Sequence, residues 1–504
     1  MNIEEALKPV DKDQLSHLSR RDLIDLLLCE QDLRMRVIEK LKAQSDEFFE
    51  LADKYIRIKK LVFEPRSEKK AKRKPAKIKK HADSKQRQLK PSERYENLEV
   101  VEFRVDQFPA PQCDCCKSEM TDSGLFEESE MLTVVPKKFL IHRHLLVKYS
   151  CRNCHGRLLT TPRPPRIKPG SSYSDDFIMD VALSKYCDLI PIERYCAMAA
   201  RQGVVGLPQN SLIELTHYLA KFLEPLILAI KSEVLAAKVL HADETPHRML
   251  ENKKRNWYLW GFSSENACYF QIEKSRSGDV AVDFLCESLC EYLLSDVYSG
   301  YAKAVRIANE KRVLASKPEI SNAYCNSHAR RKFDEINGNE GQDFIDRYGE
   351  IYTIEAEAKV LDEEDMLKSR QAMRPIFADM KASAEDLLKD YSEKSSQVRA
   401  ANYFLRNYEG LTRCLDDIRI SLDNNRQESL FRNPVVGRKT WYGNHSVLGA
   451  KTTAALFTVV ESCKLNKVNP REYLPKIVKT IHEKKPIYTP AQYRHLINED
   501  PPSH

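Results

Sequence analysis

Between Lys238 and Phe333 the sequence switches repeatedly between the hydrophobic periods of strand and helix, and this alternation restricts the fold more than any other feature. Lys238 to Asp243 reads as a buried strand that ends in the adjacent carboxylates of Asp243 and Glu244 and is stopped by Pro246. Asn256 to Ser263 and Ala267 to Glu273 read as two more strands. Gly278 to Tyr292 is an amphipathic helix, and Leu293 to Asp296 is a fourth strand that again ends in an aspartate. Tyr301 to Ile307 is helical, Ala323 to Asn326 is a fifth strand, and a basic helix begins at His328. Alone, Asp-Glu before Thr245-Pro246 is ordinary turn or cap chemistry. Its place in the series gives it weight.

Three strands, then helix, strand, helix, strand and helix, is the order of the ribonuclease-H-like fold. There the first and fourth strands are neighbours, so Asp243 and Asp296 are expected to end side by side. Side chains converge beyond the strand ends in such sheets. Adjacent strand residues face opposite ways, so only one of Asp243 and Glu244 points at a shared site, and Asp243 is the candidate. Residues 339–407 are charged, alanine-rich and nearly free of glycine and proline, which predicts a helical insertion, because a structureless loop of that length is improbable. Past it, Asp423 is suited to N-cap a helix that carries Glu428. The two do not share a helix face, which leaves Glu428 as the candidate third acid; its plain alternative is a surface ion pair with Arg432. Arg330, Arg331 and Lys332 beside Phe333, and Arg438 and Lys439 near Trp441, offer paired cations and an aromatic, or simply charged helix faces.

The flanks differ in character. A chain of 504 residues exceeds one core and predicts roughly three or four folded units. No apolar run is long enough for a bilayer, and the start carries no export pattern, so a cytoplasmic location is expected. Residues 1–64 read as a helix with a seam of coiled-coil spacing from Leu23 to Val62, best kept in its latter half, Val37, Leu41, Gln44, Phe48, Leu51, Tyr55, Ile58 and Val62, which implies self-association; packing on its own protein is the alternative. The net charge of +7 is concentrated in a basic linker, residues 65–92, which includes Lys72, Arg73 and Lys74 and suits a polyanion. Residues 93–168 carry five of the 14 cysteines, and Cys113 with Cys116 and Cys151 with Cys154 form two CxxC pairs that predict a zinc-binding unit. Cys115 could replace a neighbour, and His142, His144 or His155 could stand in for a thiolate. Residues 169–237 are helical with a turn at Gly203, either a helix-turn-helix for DNA or plain helical packing. The ribonuclease-H-like core, the candidate catalytic domain, is then expected in two parts, 238–338 and 411–465, around the insertion 339–410, with a tail region from 466 to 504.

Four runs occur in order: Asp243-Glu244-Thr245; Asp296-Val297-Tyr298-Ser299-Gly300-Tyr301; Cys325-Asn326-Ser327-His328-Ala329-Arg330-Arg331; and Asp423-Asn424-Asn425 with Glu428 and Gly437-Arg438-Lys439. With the double-CxxC unit and the leucine-rich start, they resemble the insertion-sequence-66 family of bacterial DDE transposases over nearly the whole chain. Val297 stands where the family usually has glycine, Asn326-Ser327 replaces a more usual Trp-Ala, and the segment after Lys439 also departs; none of these removes an acid. The resemblance implies DNA cleavage and strand transfer that depend on Mg²⁺ or Mn²⁺, with Asp243 bridging two ions about 4 Å apart and Asp296 and Glu428 each holding one. It also implies structural zinc and a double-stranded DNA substrate comprising the element's terminal inverted repeats and a target. A homo-oligomer and companion proteins of the same element are further expectations. Arg330, Arg331, Lys332, Arg438 and Lys439 would contact phosphates rather than read bases. Two alternatives are a metal-dependent nuclease that does not join, and a transposase-derived DNA-binding regulator without catalysis.

Overall fold

The computed structural model describes residues 159–251, 256–336 and 339–499, together with short pieces between 90 and 149 and the helical residues Asp32, Met35, Arg36 and Lys40. The seam residues from Leu23 to Val62, the basic residues Lys72, Arg73 and Lys74, and Cys113, Cys151 and Cys154 lie outside the described residues. Within the separate unit Ile58–Arg143, the backbone and hydroxyl of Ser92 both donate to the Glu130 carboxylate at 2.8 Å.

Four helices come first in the continuous part: α1 Asp175–Tyr186, α2 Ile192–Ala200, α3 Gln209–Phe222 and α4 Glu224–Ala236. Ser174 starts α1 by accepting the Phe177 N–H, an N-cap for donors the helix cannot satisfy itself. A five-stranded sheet follows, built from β1 Val239–Arg248, β2 Asn256–Ser263, β3 Cys268–Glu273, β4 Tyr292–Ser295 and β5 Ser321–Tyr324. The strands lie side by side in the order β3, β2, β1, β4, β5, with β1–β2 and β2–β3 antiparallel and β1–β4 and β4–β5 parallel. The first and fourth strands are therefore neighbours. Strand β1 is longer than its sequence predicts and continues through Pro246 to Arg248. Its parallel pairing with β4 ends at His241. Beyond that point one side of β1 is open, and a strand tolerates the missing N–H of proline there.

Each face of the sheet has its own helices. On one face lie α5 Asp279–Glu287 and α6 Ser299–Leu314, where Phe262 stacks on Phe284 at 4.1 Å and Trp260 meets Tyr301 edge-on at 5.8 Å. On the other lie α13 Asn425–Trp441 and α14 Val447–Leu465, where Phe431 meets Phe270 at 5.4 Å. Gly261 permits that approach, because a Cβ there would lie 2.5 Å from Gln427 Nε2 and 2.8 Å from the rings of Phe270 and Phe431. Helix α14 is buried on nearly every side, and its other surfaces take α1, α3 and α4. The helices of residues 175–236 thus share one core with the sheet, with Ile178, Leu212, Trp260 and Phe457 in a single cluster. The region expected as a tail contains α15 Pro470–His482, capped by Asn469 and burying Tyr473, Leu474, Ile477 and Val478, and α16 Pro490–Glu499.

After β5 comes the basic helix α7 Asn326–Asp334. The segment that follows folds as α8 Asn339–Ala358, α9 Glu363–Gln371, α10 Arg374–Asp390 and α11 Ser396–Arg406, and α12 Tyr408–Thr412 leads back to the sheet. This helical part has its own core, in which Phe333 and Phe344 stack at 3.8 Å. Buried Arg370 joins Glu355 through two hydrogen bonds of 2.9 and 2.7 Å and also donates to the carbonyls of Cys414 and Ile420. A guanidinium with several partners tolerates burial that an unpaired one would not, and here it fixes the chain's return toward α13. None of the described helices is long and apolar enough to cross a membrane.

Candidate active site

Asp243 pairs across the sheet with Gly261, and directly opposed residues share a face. Asp243 therefore lies on the α13 side, while Glu244, opposite Trp260, lies on the α6 side. The β1–β4 register aligns His241 with Leu294, and extending it by two residues sets Asp243 opposite Asp296. Asp296 sits immediately past β4, where its Oδ1 accepts the Tyr298 N–H at 3.1 Å. Glu428 comes from the first turn of α13.

Two buried amides seat that turn. Asn424 donates through Nδ2 to the Ala242 carbonyl at 3.0 Å, and its Oδ1 meets His241 Nδ1 at 2.9 Å. Gln427 accepts a short hydrogen bond from the Ser263 hydroxyl. Asn424, not Asp423, occupies the N-cap position, yet it makes no side-chain cap bond because its amide is committed to β1. Asp423 instead accepts the Asn425 N–H at 3.1 Å. The Asn424 N–H goes to Cys325 Sγ at 3.2 Å, which ties the start of α13 to the start of α7.

The neighbouring acids act on Asp243 electrostatically. Burial, the neighbouring charge of Glu244, and the charges of Asp296 and Glu428 push the Asp243 carboxyl up to about 8, against a backbone hydrogen bond from Glu244 that favours ionisation. Glu428 Oε1 is buried without a hydrogen-bond partner. Repelling carboxylates and an unsatisfied oxygen fit a hard divalent cation, which prefers oxygen donors and would remove both costs.

Glu244 has different work. Its Oε2 accepts the Tyr301 hydroxyl at 2.6 Å, its Oε1 accepts Arg276 Nε at 2.8 Å, and its side chain is 1% exposed. Arg276 in turn covers the Tyr298 ring at 4.3 Å.

The cationic candidates divide by position. Arg330, Arg331 and Lys332 are exposed on α7, whose first turn also presents His328 to Glu428. Among the described residues Glu428 faces His328, with Nδ1 3.7 Å from Oε1, and makes no ion pair with Arg432. Arg438 and Lys439 lie about 15 Å farther along α13, at about 1.5 Å rise per residue. Arg438 is half-buried, which lowers its pKa, and Lys439 is exposed. Cys115 and Cys116 are both exposed.

Sequence reasoning passed over Gly261, Asn424, Gln427 and His328. Asn424 and His328 stand inside runs already noted for their neighbours, but an asparagine before a helix has a sufficient local role as a cap. No local pattern marks Gly261 or Gln427, whose roles depend on a cross-sheet contact.

Residues 170–452 match the family described as Transposase IS66 family, and residues 111–155 match the zinc-finger binding domain of transposase IS66. The second match contains Cys113, Cys116, Cys151 and Cys154 and supports a structural zinc. Similar proteins come from Sinorhizobium fredii (strain NBRC 101917 / NGR234). Uncharacterized protein y4hP is 26% identical over 410 residues, covering 76% of this chain and 73% of its own length. Uncharacterized protein y4qI is 27% identical over 402 residues, covering 76% of this chain and 73% of its own.

Proposed function

We propose, from the premise that the chain belongs to the IS66 transposase family, that it binds the ends of a bacterial insertion sequence, cleaves them, and joins the freed strand to target DNA. Asp243, Asp296 and Glu428 are the carboxylate triad in this reading. The observation that carries it is the placement of three acids from separate elements, with Asp243 opposite Asp296 in the extended β1–β4 register and the helix turn of Glu428 tied to β1 through Asn424. The strand order β3, β2, β1, β4, β5 supports a ribonuclease-H-like catalytic core.

The chain's own groups have distinct tasks. Asp243 must lose its proton to become a ligand, and Asn424 and Gln427 hold Glu428 on the same side of the sheet. When bound, Mg²⁺ or Mn²⁺ supplies Lewis-acid activation of an attacking oxygen and stabilisation of a leaving one at phosphorus. Arg330, Arg331 and Lys332 hold phosphates near Glu428, Arg438 and Lys439 add phosphate contacts along α13, and the basic linker with Lys72, Arg73 and Lys74 adds charge for DNA binding. The zinc unit and the N-terminal helix serve DNA binding and self-association, with companion proteins of the element as further partners.

The test uses full-length protein, DNA carrying the element's inverted repeats, and a plasmid target. Asp243→Asn should abolish Mg²⁺-dependent cleavage and leave DNA binding nearly unchanged. Equal cleavage by the variant would overturn the triad. A pre-cleaved end with a free 3′-hydroxyl should be joined to the plasmid by the unmodified protein; cleavage without joining would make the protein a nuclease.

A further inference from the structure

The first turns of α7 and α13 meet at Glu428, and two of their side-chain atoms are left facing each other. His328 Nδ1 and Glu428 Oε1 are both buried, neither has a hydrogen-bond partner, and they stand 3.7 Å apart. That separation is too long for a hydrogen bond, and buried polar atoms are seldom left unmatched without a reason. The helix starts are not free to drift apart. Asn326 donates from its backbone to the Leu422 carbonyl at 3.0 Å and from its side chain to Leu411 at 2.9 Å, while the Asn424 N–H bonds Cys325 Sγ. Cys325, His328 and Glu428 place one ligand atom each within 4.8 Å of one another, the one such group of three metal-ligating side chains among the described residues. Cys325 is the weakest of the three as a ligand, since its sulfur is already occupied by the Asn424 N–H and burial pushes its thiol up to about 11.

We infer that His328 Nδ1 is a ligand, alongside Glu428, to a divalent ion of the active site, giving that ion one nitrogen donor among oxygens. This rests on the carboxylate reading of Glu428. Its consequence is selectivity: a purely oxygen site suits Mg²⁺, whereas an added imidazole shifts preference toward later divalent ions, Mn²⁺ first and Co²⁺ more so. His328 is placed to do this by α7, the same helix that exposes Arg330 and Arg331, so phosphate contact and metal ligation would share one rigid element.

The test is Mn²⁺ binding to zinc-loaded, full-length protein without DNA, read by calorimetry and by pulsed electron paramagnetic resonance for nitrogen coupling. The unmodified protein should show Mn²⁺ coupled to a histidine nitrogen. His328→Gln should lose that coupling and weaken Mn²⁺ by at least about tenfold, since even outer-shell changes at metal sites cost about 10- to 100-fold; Mg²⁺ affinity should fall less. Bound Mn²⁺ that depends on Asp243 and Glu428 but shows no nitrogen coupling would overturn the inference and leave the triad standing, with His328 and Glu428 a plain ion pair. Mn²⁺ binding indifferent to Asp243→Asn and Glu428→Gln would instead overturn the carboxylate site itself.

Discussion

Asn424 holds the backbone of Ala242: its Nδ2 donates to the Ala242 carbonyl at 3.0 Å while its Oδ1 engages His241. The residues on either side of this contact are the ones that matter. Asp243 follows Ala242 on β1, and Glu428 lies one helical turn after Asn424 on α13. One buried amide therefore sets the spacing between two acids that come from distant parts of the chain. Asn424→Ala should cost about 1–3 kcal/mol in chemical denaturation, the penalty for leaving buried groups unpaired. Divalent-ion affinity should fall at temperatures where the variant is still fully folded. Loss of stability with unchanged ion binding would show that the contact supports the fold only.

Gly261 makes a complementary prediction on β2. A methyl group there meets Gln427 at 2.5 Å and the Phe270 and Phe431 rings at 2.8 Å, so α13 must lift from the sheet. Gly261→Ala should cost about 1–3 kcal/mol, the range for overpacking a tight core, and should weaken Mn²⁺ through Glu428. A crystal structure of the variant with α13 undisplaced would contradict this.

The raised pKa of Asp243 gives a pH dependence with a definite sign. Its folded value of about 8 lies above the ordinary 3.8, so the folded protein retains a proton that the unfolded chain releases. Ionising Asp243 then costs stability progressively as pH rises from about 4 to about 8, and the penalty stays constant above that. In magnesium-free buffer, Asp243→Asn should match the unmodified protein near pH 4 and exceed it in stability at pH 8. Divalent-ion affinity of the unmodified protein should strengthen over the same range, because the ion competes with that proton. Denaturation curves showing no pH-dependent gap between the two proteins would show that Asp243 is ordinarily ionised.

Arg331 tests the basic face of α7. It is exposed and makes no ion pair among those described, so its charge is available to phosphate. Arg331→Ala should weaken binding to all DNA sequences alike and reduce the slope of log K against log salt by about 1. A sequence-dependent loss would instead assign it to base contact.

Much of this arrangement was legible because element order carries topology. The alternation from Lys238 to Phe333 implied that β1 and β4 are neighbours, and the parallel register of Val239 with Tyr292 is that adjacency. The end of β1 is not legible in the sequence, because Pro246 stops a strand only where its N–H is needed, and the length of β4 decides that, not the local sequence. The burial of α14 on nearly all sides joins residues 175–236 to the sheet, and no boundary signal in those helices announces it. In the sequence His328 is only the start of a basic helix, because its relation to Glu428 exists only once α7 and α13 are brought together.

The adjacent acids Asp243 and Glu244 should separate cleanly by experiment. Glu244 is 1% exposed and paired with Tyr301 and with an Arg276 that is 49% exposed. Glu244→Gln keeps the shape but removes the charge on one side of that pair. The expected cost is about 1–2 kcal/mol, below the value for a fully buried pair because solvent screens Arg276. Metal binding should survive and even strengthen near neutral pH, since Glu244 is second only to burial in holding up the Asp243 carboxyl. Asp243→Asn should do the reverse, losing Mn²⁺ while gaining stability at pH 8. If Glu244→Gln abolished Mn²⁺ binding while remaining folded, the second acid would be a ligand, and the division of the two between opposite faces of β1 would not describe their function.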